Sequence, residues 1–375
     1  MLSANSPPLL SLPLELREQI YSQALSHPSN GPQLLGTCHE IYTEARKFLF
    51  QRPLVFHGQS AFYRWLAITP SNYLHHVSEI VLELHDVDLE PLLGNAADAM
   101  QKSSVPRLLA WELYGQELER LQAALQKVHK VKLFTLRALE DQQSFLYRNF
   151  LGKVLEMLGP LYPDLQHLGL AGNFHYQSLT FLSALSQLRS FSFDGFTSSS
   201  PPETAEILSS LQHLSSLSLV SQYTLLTPTT TPHVHSAYTS KPQSFTGAVL
   251  RTMNHLASFS VTEPLRPACS PTLFLVPELL APLHTHAALR RLAIALAYTP
   301  DKETLAALED FMRKAPIERL ELDWPQLLPE VLEEYVLVGG KDLPAPHDSD
   351  ETNVARATRR LHALGVRVEW CTEGA

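Results

Sequence analysis

The chain has 375 residues, 45% of them hydrophobic and 18% charged, with a formal net charge of −9. That length can bury a large core, about three quarters of the unfolded surface at roughly 300 residues, and points to two or more domains or one elongated repeat array. The acidic balance argues against a nucleic-acid partner, which needs clustered Lys and Arg, and no stretch reaches the ~18 consecutive apolar residues of a membrane span.

The opening segment MLSANSPPLL has no basic start and no long apolar run, so no secretory signal is expected. Cys38, Cys269 and Cys371 show neither CxxC pairing nor metal-ligand spacing. A reducing compartment, cytoplasm or nucleus, fits that usage.

The first predicted element lies within LLSLPLELREQIYSQAL (9–25). Pro13 suits a first helical turn, where its missing N–H has no partner to lose. Advancing about 100° per residue, Leu16, Ile20, Ala24, Tyr21, Leu14 and Leu25 fill an arc of about 180° interrupted by Arg17, whereas one core contact needs little more than ~100°. A Pro-Ser-Asn-Gly-Pro turn cluster follows, then a short piece opening at Pro32 and a longer helix from near Thr37. Thr37-x-x-Glu40 has the form of a capping box. Leu34, Cys38, Ile41, Tyr42, Ala45, Phe48 and Leu49 continue at steps of three and four. Some forty residues with no disulfide and no metal set rarely hold themselves together, so contacts with other protein must supply the missing burial.

LPLELREQIY (12–21) followed by LLGTCHEIYTEARKFLF (34–50) resembles an F-box, in the form common in fungal proteins. The resemblance implies docking on the Skp-type adaptor of a cullin-based SCF ubiquitin ligase. It would use Leu12, Pro13, Leu16 and Ile20 along the first helix, then Leu34, Leu35 and Cys38, with Ile41 extending the surface; the sequence departs from the pattern at the late aromatic position, which is here Tyr42 within IYTEA. A helical cap sealing the end of a repeat stack would use the same apolar surplus, and both roles can coexist.

The rest of the chain repeats. L-x-x-L-x-L segments read LQHLGL (165–170), LRSFSF (188–193), LSSLSL (214–219), LASFSV (256–261), LRRLAI (289–294) and IERLEL (317–322), with starts 23, 26, 42, 33 and 28 residues apart. Looser forms occur at 77–82 and 128–133, and VRVEW (366–370) closes the series. Alternation of period two predicts strands with one buried face. Helical spacing predicts intervening helices in PPETAEILSSLQHL, DKETLAALEDFMRKAP (with Asp301 as cap) and TNVARATRRLHALG. This pattern resembles the leucine-rich repeat. The expected fold class is therefore α/β, an F-box-like helical module over 9–52 followed by an irregular strand–helix solenoid over 53–375.

In a leucine-rich repeat, residues alternating with the leucines face the concave surface. They are His167, Ser190, Ser192, Asp194, Ser216, Ser218, Ser258 and Ser260, then Arg291, Arg319, Glu321 and Asp323, a small polar floor with a charged end suited to a target peptide. The polar stretch 223–245, EPLRPACSP and FTSSSPP all follow strands and would line one rim.

Chemistry is sparse. The pairs at 75–76, 233–235 and 284–286 lack further ligands at zinc spacing, so no metal is expected. No G-x-S-x-G elbow occurs, VGGKDLP (338–344) lacks the phosphate-loop spacing, and HDSDET (347–352) reads as solvated loop. The expectation is a non-enzymatic substrate-recognition subunit without cofactor, its partners an Skp-type adaptor and an unspecified target protein, with no nucleic acid and no membrane. A protein-binding repeat scaffold outside ubiquitin transfer is the alternative.

Overall fold

Each L-x-x-L-x-L segment opens a strand at its third residue and buries its second and third apolar positions. The computed structural model describes residues 9–26, 32–88, 106–139, 143–221, 243–263, 274–283, 285–314, 317–324 and 367–368. The chain divides into two compact units, Met1–Arg137 with Pro160–Leu165, and Ala138–Gly159 with Gln166–Ala375.

The first unit begins with helices α1 (Leu14–Ser26), α2 (Pro32–Leu35) and α3 (His39–Ala45), the last running into a 3-10 turn (Arg46–Gln51). Tyr21, Leu25, Ile41, Ala45 and Phe48 form their shared core, with Leu9, Leu10, Leu34, Leu35 and Leu49 packed against it. Then come β1 (Leu54–Phe56), α4 (Gln59–Ile68), α5 (Ser71–Leu74), β2 (Glu79–Glu83), α6 (Pro106–Gln126) and β3 (Leu133–Arg137). The three strands pair in parallel in that order, Leu54 opposite Ile80 and Glu79 opposite Leu133. β1 has no counterpart among the expected strands: three residues are too few to display a period. Phe62 and Trp65 close on Phe56 from α4, at centroid distances of 5.0 and 5.2 Å. The repeat frame read at 128–133 is corrected. The strand starts at Leu133, so the matching apolar triplet is Val131, Phe134 and Leu136, all buried.

The second unit carries α7 (Phe145–Leu161), whose last two residues belong to the first unit, then β4 (His167–Ala171), a 3-10 turn (Thr180–Ala184), β5 (Ser190–Phe193), α8 (Pro201–Ser210), β6 (Ser216–Val220), α9 (Gly247–Thr252), β7 (Ser258–Glu263), α10 (Pro277–Leu283), β8 (Arg291–Leu296), α11 (Lys302–Lys314), β9 (Arg319–Asp323) and β10 (Arg367–Val368). Strands β4 to β10 pair in parallel in chain order. Parallel neighbours need a crossover, and helices or turns supply it here, α8, α9, α10 and α11 each packing on the next. The expected cap of α11 forms: Asp301 accepts from the Thr304 N–H at 2.8 Å. Phe191, Phe193, Leu217, Leu219, Phe259, Val261, Leu292 and Ile294 make the buried side of the sheet.

Buried polar groups fasten the turns at the strands' C-terminal ends. Glu263 accepts from the Phe274 N–H at 2.8 Å and from the Tyr298 hydroxyl at 2.5 Å. Gly172, at φ 90°, lies so close to the Ala138 carbonyl that a Cβ there would stand 2.1 Å from its oxygen. Only glycine fits that approach.

Among the described residues, no helix is long and apolar enough to cross a membrane. The Pro-Ser-Asn-Gly-Pro cluster up to Pro32, positions 223–242, EPLRPACSP after Glu263, the helix expected in TNVARATRRLHALG, and Cys269 and Cys371 lie outside the described residues.

Candidate functional site

Helix α1 splits its broad apolar arc into two halves. Tyr21 and Leu25 turn into the small core and are fully buried. Leu12, Leu14, Leu16 and Ile20 remain 37%, 44%, 46% and 40% exposed. At about 100° per residue, Ile20 stands roughly 100° and Leu16 roughly 140° from Tyr21 around the axis, too far to reach the same core. Arg17 stands between the halves, with ion pairs to Glu40 at 3.2 Å and Glu44 at 2.8 Å. The Tyr21 hydroxyl donates to Glu44 at 3.1 Å, and burial followed by that carboxylate pushes its pKa up to about 12. Lys47 pairs with Glu18, so polar groups lock α1 onto α3 and the 3-10 turn while its outer apolar edge stays open. Leu12, Leu16 and Ile20 follow one another at steps of four and share that edge. Pro13 immediately precedes the helix and is exposed, its carbonyl accepting from the Leu16 and Arg17 N–H groups.

The following residues divide differently from the expectation. Leu34 and Leu35 are half-buried against the core, Cys38 is exposed, and Ile41 is buried. Ile41 is thus corrected from a surface position to a core one. The Thr37 capping box does not form either. The Thr37 hydroxyl donates to the Leu34 carbonyl at 2.7 Å, the Glu40 carboxylate faces Arg17, and Cys38 caps α3, its Sγ accepting from the Ile41 N–H at 3.5 Å. Tyr42 is exposed and lies under the Arg46 guanidinium, 5.5 Å from the ring centroid.

On the second unit's sheet, register sets His167, Ser190, Ser216, Ser258, Arg291 and Arg319 in one row across six strands. Gly169, Ser192, Ser218, Ser260, Ala293 and Glu321 form the next row. Ser260 donates to Ser218 at 2.8 Å across neighbouring strands. His167 is exposed; burial of its imidazole, then the Arg189 charge, lowers its pKa. Asp323 ends its strand exposed.

Two features of this face differ from expectation. Asp194 lies one residue beyond β5, where Gly195 turns the chain at φ 77°, and its carboxylate is buried. It accepts from His175 Nε2 at 2.6 Å and from the Phe196 N–H at 3.0 Å, so it supports turns rather than facing a ligand. Arg291 and Arg319 both pair with Glu321, at 2.9 and 2.5 Å. Burial favours the neutral Glu321 carboxyl, but the two guanidinium groups outweigh it and lower its pKa. The charged end largely neutralises itself.

Among the described residues, no group of three or more His, Cys, Asp or Glu side chains is placed to hold a metal ion. The rings of His75 and His76 lie 4.0 Å apart, while His286 is buried with its ring nitrogens 3.0 and 2.9 Å from the Pro282 and Leu250 carbonyls. The histidines at 233–235, VGGKDLP and HDSDET lie outside the described residues. No protein-family model matches the chain, and no curated protein matches it.

Proposed function

We propose that the chain is the substrate-recognition subunit of an SCF-type cullin ubiquitin ligase. Residues 9–52 act as an F-box-like module that docks on the Skp-type adaptor, and residues 53–375 form an irregular leucine-rich-repeat solenoid that holds a target protein. The observation that carries the reading is the open apolar edge of α1, where Leu12, Leu16 and Ile20 stay substantially exposed. Such side chains favour a partner, because covering the exposed part of each contributes about 0.5–1.5 kcal/mol, a fraction of what full burial of a Leu or Ile contributes. The order of residues in LPLELREQIY supports the choice of partner. The chain's part in the reaction is to raise the local concentration of a captured protein beside the ubiquitin-carrying enzyme.

Capture of the intact chain by purified Skp-type adaptor tests this. The wild-type chain is expected to bind, and Leu16→Asp/Ile20→Asp to lose at least a hundredfold in affinity with an unchanged circular dichroism spectrum. Undiminished capture of the double variant would remove the docking surface from consideration. Failure of the wild-type chain to bind would leave the scaffold reading in its place.

A further inference from the structure

A cleft of about 390 Å³ opens between the N-terminal half of α7 and the turn after β4, and its walls include Phe145, Arg148, Gly152, Lys153, Tyr176 and Gln177. Its frame is held firmly. Gln177, buried, donates from Nε2 to the Arg148 carbonyl at 2.9 Å and so ties the turn to the helix. Gly152 keeps the floor low, since a Cβ there would stand 3.0 Å from Gln177 Oε1. The two charged side chains are in different states. Lys153 is already paired with Glu156 at 2.7 Å. The Arg148 guanidinium instead lies 3.4 Å from the Tyr176 ring centroid, with its Nε buried and lacking an acceptor, and it makes no ion pair among the described residues. Phe145, one helical turn earlier, is 70% exposed.

An arginine oriented by an aromatic face, with no carboxylate partner among the described residues, is prepared to receive one. Phe145 and Arg148 are spaced i, i+3 and so share one helix face, about 5–6 Å apart at Cβ. Same-side neighbours of an extended peptide, two residues apart, stand at nearly that spacing, about 7 Å.

We propose that this cleft binds an extended peptide segment of a partner protein in which an acidic residue stands two positions from an aromatic one. The carboxylate pairs with Arg148 beside Tyr176, and the aromatic ring lies against Phe145. On a chain whose own net charge is −9, the cleft offers one cation unpaired among the described residues, enough for a single carboxylate and too little for a polyphosphate backbone.

The test is fluorescence anisotropy with the full chain and a fluorescein-labelled peptide of sequence Gly-Ser-Phe-Ser-Asp-Ser-Phe-Ser-Asp-Gly, beside its Asn-for-Asp and phosphoserine-for-Asp counterparts. The Asp peptide is expected to bind saturably, about tenfold or more tighter than the Asn peptide. Arg148→Gln should reduce the Asp peptide to the level of the Asn peptide, and Phe145→Ser, at an exposed position, should weaken both. Equal binding of the Asp and Asn peptides, absence of saturable binding, indifference to Arg148→Gln in a folded variant, or preference for phosphoserine would each overturn the proposal. Leu16→Asp/Ile20→Asp, altered in the other unit, should bind the peptide unchanged, which separates this inference from the adaptor reading.

Discussion

Glu321 shows how one residue's neighbours change the meaning of a pattern. Alternation places it on the polar face of β9, yet the carboxylate takes the charges of both Arg291 and Arg319. Its folded-state pKa is therefore below the ordinary 4.5, and the ion pairs stabilise the fold above that pH and cease to do so as the pH falls through the lowered folded value. Urea unfolding followed from pH 7 to pH 3 should show Glu321→Gln less stable than wild type at pH 7 and the difference shrinking as the pH falls below the ordinary carboxylate range. A difference independent of pH would mean that the carboxylate charge plays no part. Asp194 teaches the same lesson in the opposite direction. It continues the alternation of Ser190 and Ser192, but the strand has ended, and the turn at Gly195 sends the carboxylate to His175. No feature of the local sequence marks that pairing, because the two residues are 19 positions apart.

Helices reward comparison of two segments with one motif. Ser200-x-x-Glu203 and Thr37-x-x-Glu40 both satisfy the capping-box pattern. At α8 the box closes: Ser200 accepts from the Glu203 N–H at 3.4 Å, and the Glu203 carboxylate accepts from the Ser200 N–H at 3.3 Å. At α3 it does not, because Arg17 draws Glu40 away and Cys38 takes the capping position. Ser200→Ala should therefore cost about 1 kcal/mol in chemical denaturation. Thr37→Ala, losing a single exposed hydroxyl bond, should cost clearly less; equal costs would mean that the α3 box forms in solution. Elements with long, strongly periodic sequences were legible from the chain, as with the six main repeat strands and α11. Short ones were not: β1 has three residues, and the strand near 131–136 was framed three residues early.

At the scale of the whole molecule, sequence neighbours are also sheet neighbours. In the second unit each of β4 to β9 pairs only with the strands before and after it in the chain, among the pairings described within that unit. Damage should then spread by adjacency. Phe191 is fully buried in β5 and stacked 4.8 Å from Phe193, so Phe191→Ala should cost about 3–5 kcal/mol. Native-state hydrogen exchange should show protection lost first in β4, β5 and β6, with β8 and β9 retaining more. A uniform loss across all strands would show the unit to unfold as a single block.

The repeating apolar triplets, with helical spacing between them, were enough to announce strands with one buried face alternating with helices, while the parallel pairing of those strands came from the tertiary structure. The surplus of apolar residues on the first helix was equally plain from spacing. Which half of that surplus is covered, and which stays open at Leu12, Leu16 and Ile20, depends on where α3 and the 3-10 turn pack, and distant residues set that. The same holds for the buried Ile41, the neutralised charges around Glu321 and the cleft at Arg148 and Tyr176. Each joins segments far apart in the chain, and local periodicity carries no information about the partner across the gap.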